Sequence, residues 1–178
     1  MLHNLDFRNS HTYIRFLFPF VINAILQSIS FCKTKSSSGA IVPFRPSGYI
    51  FGIVWFCLYF LIGLSWNIAS QYEMNVILIN IMFIILILSL SSWIIVYSCL
   101  NNKIGGIYVI CIAILMTLII IFSLHHNSLE QSIMIPLFVW LLFAMLLNMF
   151  EVVMIHMKFK QKLIFQKDKS FILRKKLD

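Results

Sequence analysis

The sequence predicts an all-α membrane protein, a bundle of five transmembrane helices with its N-terminus outside and its C-terminus in the cytoplasm. Three observations carry this. Hydrophobic residues make up 61% of the 178 residues and charged ones only 11%, whereas a soluble domain is about a quarter charged. The mean hydropathy of +0.93 agrees. Apolar runs of about 20 residues, the length that crosses a bilayer, recur five times at short intervals. Lipid offers no partner to backbone N–H and C=O groups, so such runs fold as helices.

The first run, 14–32, is the weakest, because Arg15, Pro19, Asn23 and Gln27 interrupt it. Asn23, Gln27 and Ser30 are spaced by four and three and share one helix face. That strip serves either as an interhelical hydrogen-bond seam or as the polar lining of a ligand cavity. Met1 to His11 is polar, and no small-residue cleavage site follows, so the segment does not read as a signal peptide.

A Ser-, Gly- and Pro-rich stretch over 33–48 leads into the second run, 49–69. Phe51, Trp55, Tyr59, Ile62 and Trp66 are spaced by four, four, three and four, which puts them on one helical face. Trp66 reads as an interfacial anchor at the non-cytoplasmic side. The third run, 76–97, carries Ser89, Ser91 and Ser92, and the fourth, 104–124, is uniformly apolar. The fifth, 133–157, holds Asn148 and Glu151. Pro136 near its start costs the helix little. Short links make consecutive helices antiparallel.

Eight of the fourteen Lys and Arg follow position 157. The chain therefore divides into a transmembrane domain over 1–157 and a basic tail over 158–178 held near anionic lipid. With the C-terminus inside, twelve basic residues lie on the cytoplasmic side and two, Arg8 and Arg15, on the other. The positive-inside rule selects that orientation. The basic tail has no folded domain to present base contacts, so nucleic acid is not an expected partner.

Soluble-enzyme motifs are absent: no Gly-rich phosphate loop, no H-E-x-x-H and no G-x-S-x-G. No metal site is expected. Cys32, Cys57, Cys99 and Cys111 form no C-x-x-C pair and read as small hydrophobes rather than as a disulfide framework. His125 and His126 fall on the opposite side of the bilayer from His156. Glu151 is the one acid inside a run. It is either a functional group or a residue near the helix end that snorkels or pairs with a tail lysine.

Two segments together resemble the TspO/MBR family, the tryptophan-rich sensory proteins and translocator proteins once called peripheral benzodiazepine receptors. In the second run the matching residues are Phe44, Pro46, Tyr49, Phe51, Gly52, Val54, Trp55, Leu58, Tyr59 and Gly63. In the fifth they are Pro136, Trp140, Phe143, Ala144, Leu147 and Asn148. The chain departs from the family pattern at Ser47, Ile53 and Leu137. Trp93 matches the family's third helix, but Leu90 stands at its Asn. The cholesterol-recognition pattern at the end of helix 5 is missing, since no basic residue follows Phe150 before Lys158.

The resemblance implies a five-helix bundle around a pocket beneath the first loop. It implies an integral membrane protein of receptor type that binds porphyrins, haem or related hydrophobic ligands, sterols included, with no cofactor required. It implies a ligand site built from Phe51, Trp55, Tyr59, Trp140, Phe143, Ala144 and Asn148. No catalytic residue is expected for a binding protein. Some family members degrade porphyrin in light, and for that activity the resemblance points to Trp55 and Trp140. A transporter or regulatory scaffold is the remaining alternative. Many members form homodimers, and Gly48 with Gly52 is a small-residue pair of the helix-packing type. A mitochondrial outer membrane and a bacterial inner membrane both fit the sequence.

Overall fold

A computed structural model describes residues 10–29, 42–72, 75–123 and 128–175. Helix starts follow local chemistry. The Asn75 side chain accepts from Leu78 N at 3.1 Å and caps one helix, and the Asn102 side chain accepts from Gly105 N at 2.8 Å and caps the next. Asparagine is favoured there because its oxygen takes up an N–H that has no intrahelical partner. Five helices result: α1 (Ser10–Ile29), α2 (Gly48–Tyr72), α3 (Val76–Ile94), α4 (Lys103–Ser123) and α5 (Ser128–Lys175). A π-helical turn, Ile95–Cys99, extends α3. The chain then reverses at Asn101, whose φ of 51° lies in the left-handed region that asparagine tolerates.

Helices α2, α3, α4 and α5 are long and apolar enough to cross a membrane, and α1 contributes a shorter apolar stretch, His11–Leu26. This all-helical architecture is the membrane bundle that the sequence predicts. Each helix packs on two or three others: α1 on α2 and α3, α2 on α3 and α5, α3 on α4, and α4 on α5. Around the bundle the order is therefore α1, α2, α5, α4, α3. Phe83, Leu86 and Ile87 of α3, Ile62 of α2, Ile120 of α4 and Leu137 and Leu141 of α5 fill the core. Residues such as Ile77, Leu115 and Phe122 stay exposed on the outer surface, as lipid-facing residues do.

Helices α1 and α2 approach closely at Gly63. A Cβ there would lie 2.9 Å from the Phe16 carbonyl oxygen, so only glycine lets α1 lie this close to α2. Asn67 closes the same seam, with its amide donating to Thr12 O at 3.1 Å and to Gly63 O at 3.0 Å. Helix hydroxyls bond back along their own helices, Ser70 to Trp66 O and Thr117 to Ala113 O, both at 2.8 Å.

Four features differ from the sequence expectation. Trp66 is 4% exposed, packed inside the bundle and not facing the lipid as an anchor would. Its indole N–H donates to Asn80 Oδ1 at 2.8 Å, and its ring stacks on Phe83 at 5.7 Å. Pro136 lies eight residues after Ser128, in the body of α5 and not in its first turn. It therefore removes an intrahelical hydrogen bond, which a proline in the first turn does not. Helix α5 also runs through Met157 without a break to Lys175, 48 residues in all. At about 1.5 Å per residue it is roughly 70 Å long, more than twice the bilayer core, so its basic end projects beyond the membrane. Finally, Cys99 is disulfide-bonded, while Cys57 and Cys111 are free. Gln27 and Ser30 of the polar strip, and His125 and His126, lie outside the residues whose side chains are described.

Candidate functional site

The approach to α2 is a turn docked against α5. Arg45 N donates to Val42 O at 3.2 Å, closing a turn over Val42–Arg45 with Pro43 at its second position, where proline's fixed φ suits the turn. The Phe44 ring docks edge-on against Phe150 of α5 at 5.1 Å. Ser47 stands where the family pattern has a second proline. Its carbonyl accepts from Phe51 N at 3.2 Å, which places Ser47 at the N-cap of α2.

Below this entry lies a cavity of about 440 Å³ between α1, α2 and α3, within the usual range of roughly 300–1,000 Å³ for small-molecule sites. Phe51, Trp55 and Tyr59 form its α2 wall, together with Gly48 and Gly52. A Cβ at either glycine would meet nothing within 4 Å, so these two residues open the cavity and do not sit in a helix seam. Helix α3 supplies Leu90 and Trp93, with Tyr97 from the π-turn, and α1 supplies Phe20 and Asn23. Aromatic rings line up along the wall. Trp55 lies 5.8 Å from Tyr59 and 6.4 Å from Trp93, and Trp93 stacks on Tyr97 at 5.0 Å. Polar groups are few. The Tyr59 hydroxyl donates to Asn23 Oδ1 at 3.3 Å, and the Arg45 guanidinium sits 5.5 Å from the centre of the Phe51 ring. Asn23 thus serves both of the roles open to it, a seam with α2 and a place in the cavity lining.

The helix 5 residues lie on the other side of Phe51. Its ring meets Trp140 edge-on at 5.2 Å, and Trp140 meets Phe143 at 5.3 Å. Ala144 and Asn148 line a much smaller void of about 10 Å³, the size of one water. Arg45, Phe51, Trp93 and Tyr97 form part of its wall and of the large cavity's wall, so they partition the two. The Asn148 amide nitrogen and the Trp93 and Trp140 indole nitrogens are buried without a hydrogen-bond partner among the described residues. Glu151 closes the small void. The Tyr97 hydroxyl donates to its carboxylate, and Lys103 Nζ lies 3.7 Å from Oε1. Lys103 also donates to Tyr97 O at 3.1 Å and sits over the Tyr97 ring. Glu151 therefore pairs with Lys103 of α4 and is 2% exposed, so it neither snorkels nor waits for a tail lysine.

Of the residues named from the sequence, Phe51, Trp55 and Tyr59 line the large cavity, Ala144 and Asn148 line the small void, and Trp140 and Phe143 line neither. The sequence reading did not place Arg45, Trp93, Tyr97 or Phe20 in a site. Trp93 and Tyr97 carried one signal, an aromatic pair spaced by four on the helix that packs against α2. Among the described residues, no group of three or more His, Cys, Asp or Glu is placed to hold a metal.

An apolar helical bundle with an aromatic-lined cavity defines the chain as a polytopic integral membrane protein. The TspO/MBR family model matches residues 16–153, from α1 to α5, and the chain belongs to the TspO/MBR family. Over 107 residues it is 31% identical to the tryptophan-rich protein TspO of Archaeoglobus fulgidus, which covers 59% of this chain and 69% of that protein.

Proposed function

We propose that this protein binds a flat, largely apolar ligand of the tetrapyrrole class in the cavity between α1, α2 and α3. The observation that carries the reading is the continuous aromatic wall, Tyr59–Trp55–Trp93–Tyr97, along a cavity with few polar groups. Planar macrocycles gain most from offset stacking on such rings. The direct stacking surface is Trp55 with Trp93. Trp140 acts through Phe51, which it supports from behind. The entry at Arg45 faces the cytoplasm, because that orientation puts the basic segments inside.

Titration of the purified protein with protoporphyrin IX, followed by its main absorption band, tests this. Saturable binding at one site is expected in the wild type, and its loss is expected in Gly52→Phe, which fills the cavity from a position with open space. Unchanged binding by Gly52→Phe assigns the ligand elsewhere.

A second reading, light- and oxygen-dependent degradation of the bound porphyrin, draws on the same wall, since Trp55 is in ring contact with Trp93 and through it with Tyr97. It requires illuminated porphyrin to bleach faster with the protein than in detergent alone, and Trp55→Phe to slow that bleaching.

A further inference from the structure

Four rings stand in one row along the large cavity. Tyr59, Trp55, Trp93 and Tyr97 have successive centroids 5.8, 6.4 and 5.0 Å apart. Each step lies within the range of an aromatic pair in contact, so an electron missing from one ring passes to the next. The two ends of the row differ. At one, the Tyr59 hydroxyl donates to Asn23 Oδ1 at 3.3 Å, an amide oxygen that does not take up a proton. At the other, the Tyr97 hydroxyl donates to the Glu151 carboxylate, and the two residues are 4% and 2% exposed. A carboxylate accepts hydrogen bonds when ionised and carries an O–H when protonated. The bond from Tyr97 to Glu151 is therefore also a path for a proton.

That difference decides where an oxidising equivalent comes to rest. A phenol that loses an electron and keeps its proton becomes a buried cation, which is costly away from water. A phenol that hands its proton to a hydrogen-bonded carboxylate in the same step becomes a neutral radical. Tyr97 is placed for this and Tyr59 is not. The Trp93 indole nitrogen, between Trp55 and Tyr97 in the row, has no hydrogen-bond partner among the described residues, so proton loss there has no acceptor. Glu151 stays held by its other partners, Lys103 at 3.7 Å among them, and receives the proton without leaving its place.

We propose that Tyr97 is a redox-active tyrosine, the end of a relay in which Trp55 and Trp93 carry its electron to an oxidant in the large cavity while Glu151 takes its proton. This rests on the reading of the cavity as the site of a light-absorbing macrocycle. One electron leaves Trp55 for the photoexcited ligand and goes on to dioxygen, which becomes superoxide. Trp93 then restores Trp55, and Tyr97 restores Trp93. The Tyr97 O–H bond breaks as an O–H bond forms on Glu151. In sum, Tyr97 is oxidised by one electron, dioxygen is reduced by one electron, and one proton moves from Tyr97 to Glu151.

The test uses the full chain in detergent with saturating protoporphyrin IX, illuminated in air-saturated buffer and frozen for electron paramagnetic resonance. Protein made with ring-deuterated tyrosine identifies the radical, because a tyrosyl signal narrows on deuteration and a tryptophanyl signal does not. A tyrosyl radical is expected in the wild type. Its loss is expected in Tyr97→Phe, which keeps the ring and removes the proton, and in Glu151→Gln, which keeps a hydrogen-bond acceptor and removes the base. Titration in the dark establishes porphyrin occupancy for each protein. A porphyrin-loaded wild type without a tyrosyl radical overturns the proposal and leaves the cavity reading standing, as does a tyrosyl radical that survives Tyr97→Phe. A full signal in Glu151→Gln overturns the assignment of the proton to Glu151. Absence of saturable porphyrin binding in the dark overturns the cavity reading and the proposal together.

Discussion

Lys103 Nζ and Glu151 Oε1 lie 3.7 Å apart with side-chain exposures of 10% and 3%, joining the first residue of α4 to the body of α5. Breaking a buried pair by removing one partner leaves an uncompensated charge and costs about 3–5 kcal/mol, whereas replacing both with apolar residues is often neutral. Lys103→Met alone is therefore expected to lower the unfolding temperature clearly in detergent. Lys103→Met with Glu151→Leu is expected to recover most of that loss. A double variant as unstable as the single one shows that other partners of Glu151, Tyr97 among them, need the carboxylate more than the pair does.

Gly63 sets the distance between α1 and α2. Gly63→Ala puts a methyl group 2.9 Å from the backbone oxygen of Phe16, which has no rotamer through which to yield. The expected cost is about 1–3 kcal/mol, the usual range for overpacking. Thermal unfolding reads it. Gly52→Ala is the control, with space around its new methyl and a gain expected from the better helix propensity of alanine.

Trp55 and Trp66 belong to one stripe in the sequence and separate by role. Trp66→Phe is expected to cost about 1 kcal/mol of stability through the lost hydrogen bond to Asn80, with porphyrin affinity unchanged. Trp55→Ala is expected to weaken porphyrin binding about tenfold, since ring stacking of about 0.5–1.5 kcal/mol and buried area are both lost. Paired unfolding and titration curves distinguish the two. Reduced affinity in Trp66→Phe contradicts its placement in the core.

Trp140 offers a graded version of the same test. It meets Phe51 at 5.2 Å and does not line the large cavity. Trp140→Phe is expected to change porphyrin affinity less than Trp55→Phe does. The reverse order, measured by titration, moves the ligand towards α5.

Much of this protein was legible in its sequence. Hydropathy located the apolar part of each of the five described helices, though not the run of α5 beyond Met157, because a residue's cost in lipid is local and needs no neighbour. The segments Phe44–Gly63 and Pro136–Asn148 carried the family resemblance, and the match over residues 16–153 agrees with it. The site was legible in part, since Phe51, Trp55 and Tyr59 share a helix face that periodicity alone defines. Arg45 read only as one more basic residue on the cytoplasmic side.

What tertiary structure decided was which faces meet. Nothing local in a stripe of aromatics marks where a neighbouring helix stands off and where it closes in. Gly63 brings α1 against α2 at one end, so Trp66 is packed, while Gly48 and Gly52 leave a cavity at the other, so Trp55 lines a wall. The order α1, α2, α5, α4, α3 set Trp93 and Tyr97 opposite Trp55 and put the α5 residues behind Phe51. The same packing paired Glu151 with Lys103 across two helices. The sequence by itself determined the helices and the membrane, which depend on each segment's solvent. The fold determined the cavity and the charge at its end, which depend on residues far apart in the chain.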